Sequence, residues 1–164
     1  MPRRITAGPL TRLATALLER AGVEPPNAAL CARHLVDANL MGHDSHGVAM
    51  LTVYLRWIAR GGLLPNAHAR VVHDRVAVAV LDGGFGLGQV VGKEAMDPAI
   101  VRARAAGIAC VALRNAGHLG RIGAYGEMCA EAGLVSMHYA NVVGLEPMVV
   151  PFGGREPRLF TNPY

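Results

Sequence analysis

Apolar residues recur three or four positions apart through the first third of the chain, which places them on one face of a helix. One run ends at Gly22, a second opens at the Pro25-Pro26 pair, and a third follows the sequence GHDSHG and ends at Gly61-Gly62. The apolar positions are Leu10, Leu13, Ala14, Leu17 and Leu18, then Leu30, Cys31, Leu35, Ala38 and Leu40, then Leu51, Tyr54, Leu55 and Ile58. The pattern predicts three helices that form one layer.

From about residue 68 the pattern changes to short apolar and β-branched runs that alternate with helical stretches. The strand-like runs are ARVVH, VAVAVLDG, IACVALRN and LVSMHYAN, and the helical stretches are VVGKEAMDPAIVRARAAG and RIGAYGEMCAEAG. Alternating strands and helices are typical of an α/β sheet. The sequence therefore predicts a helical domain over residues 1–66 and the first part of an α/β domain over residues 67–164, with the boundary near Gly62 to His68.

The last segment, PFGGREPRLFTNPY, combines turn residues with a short extended piece and stops within a possible further strand. A sheet left open at that point would expose an apolar edge, which favours aggregation. We therefore expect the chain to be truncated.

Composition argues against a membrane protein. The chain is 52% apolar with a mean hydropathy of +0.29, yet no apolar run is long enough to span a bilayer. The N-terminus MPRRITAGPL lacks the apolar core of a signal peptide. A cytoplasmic protein is the expectation.

Charge and cysteine spacing exclude two further classes. The net charge of +4 comes almost entirely from single, scattered arginines, and only 5% of residues are aromatic, whereas nucleic-acid surfaces cluster basic residues and interleave aromatic ones. The cysteines Cys31, Cys110 and Cys129 are widely spaced without a C-x-x-C pair, so we expect core thiols instead of disulfides or a zinc site.

The glycine-rich stretch LDGGFGLGQ lies between a strand pattern and a helix pattern, the position of a dinucleotide loop. Its glycines Gly84, Gly86 and Gly88 give G-x-G-x-G instead of G-x-G-x-x-G, and no acidic residue ends a second strand about twenty residues later. The favoured interpretation is a tight strand-to-helix turn that needs positive φ.

Two polar clusters are candidates for chemistry. In GHDSHG, Asp44 is a plausible N-cap, which would place His46, Met50 and Tyr54 on one helical stripe with His46 near the positive end of the dipole. His43 and His46 have no third ligand nearby, so no metal is expected. In RNAGHLGRIGAYGE, His118 follows a predicted buried strand, where ligands of open α/β sheets bind, and an imidazole exchanges protons near neutral pH.

Taken together, GHDSHGVAMLTVYL, LDGGFGLGQ, ALRNAGHLGRIGAYGEMCAEAGLVS and PFGGREPRLFTNP resemble the type 2 malate/L-lactate dehydrogenase family. That family includes ureidoglycolate dehydrogenase, sulfolactate dehydrogenase, diketogulonate reductase and the piperideine-2-carboxylate reductases. The resemblance rests on the ordered series S-H-G, N-x-x-H-x-G and G-G…T-N-P. It implies a homodimer with a helical layer, a mixed-sheet, non-Rossmann domain for NAD or NADP, and hydride transfer between the cofactor and a 2-oxo acid, 2-hydroxy acid or cyclic imine.

The resemblance also assigns residues. The acid/base histidine of the family falls on His118, its Ser-His pair on Ser45 and His46, and its tyrosine on Tyr54. Further matches near the cleft are Asn115, Gly120, Thr161, Asn162 and Pro163. His46 is thereby a second catalytic candidate. The substrate-binding candidates are Ser45, Tyr54 and Asn115, and the cofactor-binding candidates are Gly120, Thr161 and Asn162.

The chain departs from the family pattern in two side chains and in length. Met50 stands where many members have an arginine suited to a carboxylate, and Val142 stands where a serine or threonine is common. Arg121 is a candidate replacement for the missing substrate contact. Because the chain covers about half of a member, the alternative to an oxidoreductase is a catalytically incomplete folding or oligomerisation module, and a cyclic imino-acid reductase is a further alternative.

Overall fold

The computed structural model describes residues 4–142 and 152–155. The three predicted helices are present, with a short 3-10 turn before the third. Their bounds are α1 Ala7–Arg20, α2 Pro25–Leu40, the turn Asp44–His46 and α3 Met50–Ala59. Gly22 has φ of 87° just after α1, and Pro25 is the first residue of α2, so these residues mark the end of one helix and the start of the next, as the sequence predicts.

The third helix begins later than predicted. Asp44 does not cap it, because residues 44–46 form the 3-10 turn and the residue before α3 is Ala49. Asp44 instead accepts a hydrogen bond from Asn39 Nδ2, at 2.5 Å. The predicted helical stripe of His46, Met50 and Tyr54 is therefore wrong, since His46 precedes the helix.

The second part of the described chain is a mixed sheet flanked by helices, which confirms the predicted α/β class. Its elements are β1 Arg70–Asp74, β2 Val78–Gly86, α4 Gly88–Ala106, β3 Cys110–Ala116 and α5 Gly123–Glu131. The strand order is β1-β2-β3, with β1 and β2 antiparallel and β2 and β3 parallel. The parallel pair is joined through α4, which runs through Pro98 and ends at Gly107 with φ of 80°.

The main core lies inside the helical layer and extends to the start of α4. Leu18, Leu35, Tyr54 and Leu87 are each at most 1% exposed and belong to one apolar cluster, which also includes Val90. This packing seats the end of β2 and the first turn of α4 against the three helices. The division into domains at residue 66 stays a prediction.

The predicted strand LVSMHYAN is wrong. Residues 134–142 form no helix or strand, and among the described residues no strand pairs with them. Alternate side chains are exposed, with Val135 at 100% and Met137 at 77%. The period-two pattern is present, but a strand also needs a hydrogen-bonded neighbour. The possible strand at the end of the sequence lies outside the described residues.

Within residues 4–142 and 152–155, no helix combines the length and apolarity needed to cross a bilayer.

Candidate active site

Three predicted site residues from distant parts of the sequence meet at one place. The hydroxyl of Tyr54 lies 2.7 Å from Nδ1 of His118. The imidazole of His46 stacks on that of His118, with 5.2 Å between ring centroids and an interplanar angle of 28°. We call these residues, together with Ser45, the histidine cluster. It joins the 3-10 turn, α3 and the loop between β3 and α5.

The 3-10 turn is fastened to α2 by Asn39. Its Oδ1 accepts from the backbone N–H of Val48 at 2.8 Å, while its amide nitrogen donates to Asp44. Gly47 passes so close to the Asn39 amide that any Cβ there would collide with it. Asn39 therefore holds both ends of the segment that presents Ser45 and His46, and nothing in the helical pattern of α2 distinguished this residue.

The loop that presents His118 is packed directly against the glycine-rich end of β2. A Cβ on Gly88 would collide with the backbone carbonyl of His118, and a Cβ on Gly117 would lie 2.6 Å from the carbonyl oxygen of Gly86. The N–H of Gly117 donates to that same oxygen at 2.9 Å. The glycines thus allow two backbone segments to touch, and this contact sets the position of His118.

This contact explains the LDGGFGLGQ stretch. Strand β2 ends at Gly86 and α4 begins at Gly88, so the predicted tight strand-to-helix turn is confirmed. The positive φ values lie just before it, within β2, at Gly84 (56°) and Phe85 (57°), where the pairing with β3 is irregular. The first turn of α4 faces the chain's own backbone at Gly117 and His118. A phosphate cradle would need that space to be open, so the Rossmann interpretation does not fit.

Tyr125 of α5 clamps the other side of the same loop. Its buried hydroxyl lies 2.8 Å from the carbonyl oxygen of Leu119 and 3.3 Å from that of Gly88. A Cβ on Gly92 would lie 2.5 Å from this hydroxyl, so α4 and α5 are closely packed here. The His118 loop is therefore held from two sides by backbone and aromatic contacts.

Two buried polar residues behind Tyr54 extend the cluster and were not predicted. Gln89 Nε2 donates to Tyr54 Oη at 2.8 Å, and the Cys31 thiol donates to Gln89 Oε1 at 3.5 Å. Both side chains are 0% exposed. The sequence does contain a trace of this arrangement, because Gln89 is the one polar residue within the apolar run LGQVV.

The cluster is uncharged in the ligand-free chain at neutral pH. Burial, with a smaller contribution from neighbouring His46, lowers the pKa of His118 to about 4. Burial and His43 also lower the pKa of His46, while burial raises the pKa of Tyr54. Two neutral imidazoles and a protonated phenol therefore face each other, and Ser45 Oγ lies 2.9 Å from His46 Nδ1.

The contacts of the other predicted site residues are made with groups outside the histidine cluster. Asn115, at φ of 52°, donates to Asp82 Oδ2 at 3.0 Å, and Arg121 forms a two-point ion pair with Glu127 at 2.8 and 2.6 Å. Met50 packs on the helical core, and Gly120 is buried at φ of 75° beside Gln89. The roles predicted for Asn115, Arg121 and Gly120 stay predictions.

Thr161 and Asn162 lie outside the described residues. His43 and His46 have ring centroids 6.5 Å apart, and no three His, Cys, Asp or Glu side chains in the described ranges are arranged to hold a metal ion.

Comparison with known proteins places this geometry in a family. Residues 5–164 match the family model described as malate/L-lactate dehydrogenase. The chain belongs to the malate/L-lactate dehydrogenase family. This confirms the resemblance drawn from the S-H-G, N-x-x-H-x-G and T-N-P motifs.

Two relatives illustrate the likeness, at 47% and 40% identity. It is 47% identical to hydroxycarboxylate dehydrogenase B of Escherichia coli K12 over 161 residues, which are 98% of this chain and 44% of that protein. It is 40% identical to L-sulfolactate dehydrogenase of Methanocaldococcus jannaschii over 147 residues, 90% of this chain and 42% of the relative. The chain thus spans less than half the length of these relatives.

Solved structures agree in fold. A putative malate/lactate dehydrogenase from E. coli superposes with a TM-score of 0.92 at 46% identity, covering 98% of this chain and 45% of that one. The sulfolactate dehydrogenase of M. jannaschii gives a TM-score of 0.86 at 36% identity, covering 97% and 45%. The helical layer and mixed sheet therefore match a part, slightly under half, of the fold of these dehydrogenases.

Proposed function

We propose that the protein containing this chain is an NAD(P)-dependent oxidoreductase that interconverts a 2-hydroxy acid and a 2-oxo acid, with His118 as its acid/base group. The observation that supports this most directly is the contact of Tyr54 and His46 with His118. Family membership and the hydroxy-acid dehydrogenase names of the relatives support the reaction class. A homodimer, which the family resemblance implies, and a cytoplasmic location, which the sequence composition suggests, are part of the proposal.

His118 has one ring nitrogen free for this work. Its Nδ1 is engaged by Tyr54, and among the described residues no side chain or backbone group hydrogen-bonds to Nε2. In oxidation, neutral His118 accepts the hydroxyl proton of the substrate, and in reduction the imidazolium returns a proton to the oxygen. Because the pKa of free His118 is about 4, the reductive direction needs a bound anion that raises it.

The carboxylate of a 2-oxo acid supplies that anion. Ser45 and His46 lie beside His118 and offer a hydroxyl and an imidazole to a carboxylate oxygen. Met50 offers no charge, and the guanidinium of Arg121 is already paired with Glu127. We therefore assign carboxylate binding to Ser45 and His46, with protonated His46 supplying the positive charge.

The nicotinamide cofactor is implied by the family, and it supplies the hydride. The N-terminus of α4, which follows the glycine-rich stretch, does not fit the pyrophosphate of this cofactor, because the chain's own backbone lies against the first turn of the helix. The histidine cluster accordingly performs the proton transfer and substrate binding in this proposal.

The test is turnover by the protein that contains this chain, with NADH and NADPH, on a panel of 2-oxo acids and cyclic imines. We expect reduction of a 2-oxo acid, and a loss of at least about 100-fold in kcat for His118→Ala, the range for removing an acid/base group. Reduction of cyclic imines alone would replace the substrate class, and full turnover by His118→Ala would refute the role of His118. His73→Ala, an exposed histidine of β1, is the matched control and should leave kcat unchanged.

A further inference from the structure

A row of side-chain hydrogen bonds leads from the helical core to His118. The Cys31 thiol lies 3.5 Å from Gln89 Oε1, Gln89 Nε2 lies 2.8 Å from Tyr54 Oη, and Tyr54 Oη lies 2.7 Å from His118 Nδ1. Cys31, Gln89 and Tyr54 are at most 1% exposed. Water therefore does not compete for these bonds, and each group has to use the partners that the protein provides.

The chemistry of the first two groups gives the row a direction. Burial raises the pKa of the Cys31 thiol to about 12, so this thiol keeps its hydrogen and donates it to an oxygen. That oxygen is Gln89 Oε1, which turns the amide nitrogen of Gln89 toward Tyr54. An amide nitrogen only donates, so Tyr54 Oη accepts from it and has its own hydrogen left for His118.

We propose that Gln89 is a positioning residue that fixes the tautomer of His118, with Nδ1 accepting from Tyr54 and the hydrogen on Nε2. A neutral imidazole has a single N–H, so a hydrogen bond received at Nδ1 requires the hydrogen at Nε2. The hydrogen bonds then run in one direction from Cys31 to His118, and the imidazole presents a donor at Nε2.

This assignment deepens the proposed function and rests on it for its consequence. An Nε2–H donor is suited to the oxygen of a carbonyl, the substrate of reduction. Oxidation requires a bare Nε2, which arises when the Tyr54 hydroxyl turns and accepts from Nδ1–H. Gln89 opposes that turn because its amide hydrogen would then face the Tyr54 hydrogen. This tautomer thus presents a donor to a carbonyl oxygen before any proton is transferred; transfer follows when the bound anion favours a second proton on Nδ1 and the Tyr54 hydroxyl turns to accept from it.

The decisive variant is Gln89→Glu. An ionised carboxylate only accepts, so the Tyr54 hydroxyl would donate to it and accept from His118 Nδ1–H, which inverts the tautomer. Gln89→Met is the matched control, because it keeps the length of the side chain and offers neither a donor nor a carboxylate. Tyr54→Phe removes the hydroxyl and leaves Gln89 in place.

The measurement is nitrogen-15 NMR of the histidine rings in this 164-residue chain, which distinguishes protonated from bare ring nitrogens without any turnover. The signals of His118 are identified by their loss in His118→Gln. His68, whose Nδ1 faces Glu94 at 2.5 Å, is an internal reference: Glu94 raises its pKa, so it titrates within the range used, and its pH dependence should be the same in every variant. Spectra are recorded from about pH 6 to about pH 10, because a buried glutamate ionises as late as about pH 9.

We expect His118 to hold its hydrogen on Nε2 in the wild type, and to transfer it to Nδ1 in Gln89→Glu as the new carboxyl ionises. In Gln89→Met, which lacks the amide donor, both tautomers of His118 should be detectable at every pH, and exclusive Nε2–H in this variant would overturn the role of Gln89. A wild type with its hydrogen on Nδ1 would overturn the proposal, as would a folded Gln89→Glu that keeps Nε2–H at every pH. If Gln89→Glu does not fold, Gln89→Met decides by the same measurement, and Tyr54→Phe shows independently whether the Tyr54 hydroxyl is needed for the Nε2–H form.

The same spectra separate this inference from the proposed function. An Nε2–H tautomer that inverts in Gln89→Glu, in a protein that reduces no 2-oxo acid, would refute the proposed reaction and leave the role of Gln89 intact. A protein that reduces a 2-oxo acid, and whose His118 tautomer is the same in Gln89→Glu as in the wild type, would refute the role of Gln89 and leave the proposed reaction intact.

Discussion

Gly88 and His118 are in backbone contact, with no room for a side chain between them. The first turn of α4 and the loop after β3 are thereby held together by main-chain atoms. This contact positions the backbone of His118, and the bond to Tyr54 orients its ring.

Gly88→Ala should therefore destabilise the chain strongly. Its Cβ would meet the backbone carbonyl of His118, which cannot move without displacing Gly117 from Gly86. We expect a loss of about 1–3 kcal/mol in the free energy of unfolding, measured by urea denaturation. Gly8→Ala in α1 is the control. The new Cβ would have only ordinary contacts, so the higher helix propensity of alanine should raise the free energy of unfolding by about 0.5–1 kcal/mol. Equal effects of the two changes would contradict the importance of this contact.

Stability should fall between pH 7 and pH 5. The pKa of His118 is about 4 in the folded chain and near 6.5 when unfolded, so over this range the unfolded state binds more protons. The contribution of His118 to the free energy of unfolding is therefore fully present above the unfolded pKa, and it is lost as the pH falls toward the folded pKa. His118 contributes roughly 2 kcal/mol of loss by pH 5, at about 1.4 kcal/mol per pKa unit.

His118→Gln should flatten this part of the pH profile, measured by urea denaturation at several pH values. His73→Gln, on the exposed face of β1, should retain the wild-type slope. A slope that survives in His118→Gln would assign the loss to other groups.

Binding of a 2-oxo acid should take up protons near pH 6. The anion raises the pKa values of His46 and His118, which burial lowers in the free protein. Calorimetric titrations in two buffers of different ionisation enthalpy measure the protons bound per ligand. We expect a positive number that falls toward zero in the double variant His46→Gln and His118→Gln. Zero uptake by the wild type would contradict carboxylate binding beside these rings.

Two asparagines offer a matched test of the 3-10 turn. Asn39 bonds Val48 and Asp44, and Asn66 similarly bridges the N–H of Glu24 and the carbonyl of Gly22, at 2.8 and 2.9 Å. Each substitution by alanine should cost about 1–3 kcal/mol, measured by denaturation. Only Asn39→Ala should also weaken substrate binding, measured as a raised KM, because it frees the segment with Ser45 and His46. Equal KM changes would show a general effect of lost stability.

Much of this fold follows from local pattern. Periodic apolar residues with Gly22, Pro25 and Gly107 as punctuation define the helices, and β-branched runs define the three strands. His118 drew attention as a histidine among glycines at the end of a strand, although the prediction that this strand is buried is wrong, because every residue of β3 is exposed or half-buried. Its partners His46 and Tyr54 were assigned through ordered motifs, since no periodicity links positions 46, 54 and 118.

The remaining features depend on contacts between distant segments. Gln89 looks like an ordinary helix residue until α4 is packed under α3, where its amide meets Tyr54. Asp44 looks like an N-cap until Asn39 binds it from the preceding helix. Residues 134–141 have a strand pattern, but a strand exists only when another strand pairs with it. Sequence pattern reports local preference, and these three outcomes are decided by tertiary partners.

The backbone contact among Gly86, Gly88, Gly117 and His118 also suggests how the substrate range of this protein can be altered. A library that varies these glycines would be filled with unfolded chains. Ser45 is exposed and Met50 is only partly buried, so side chains of other size and charge fit there without disturbing the main chain. New specificities should be sought at these two positions, with the glycine framework kept constant.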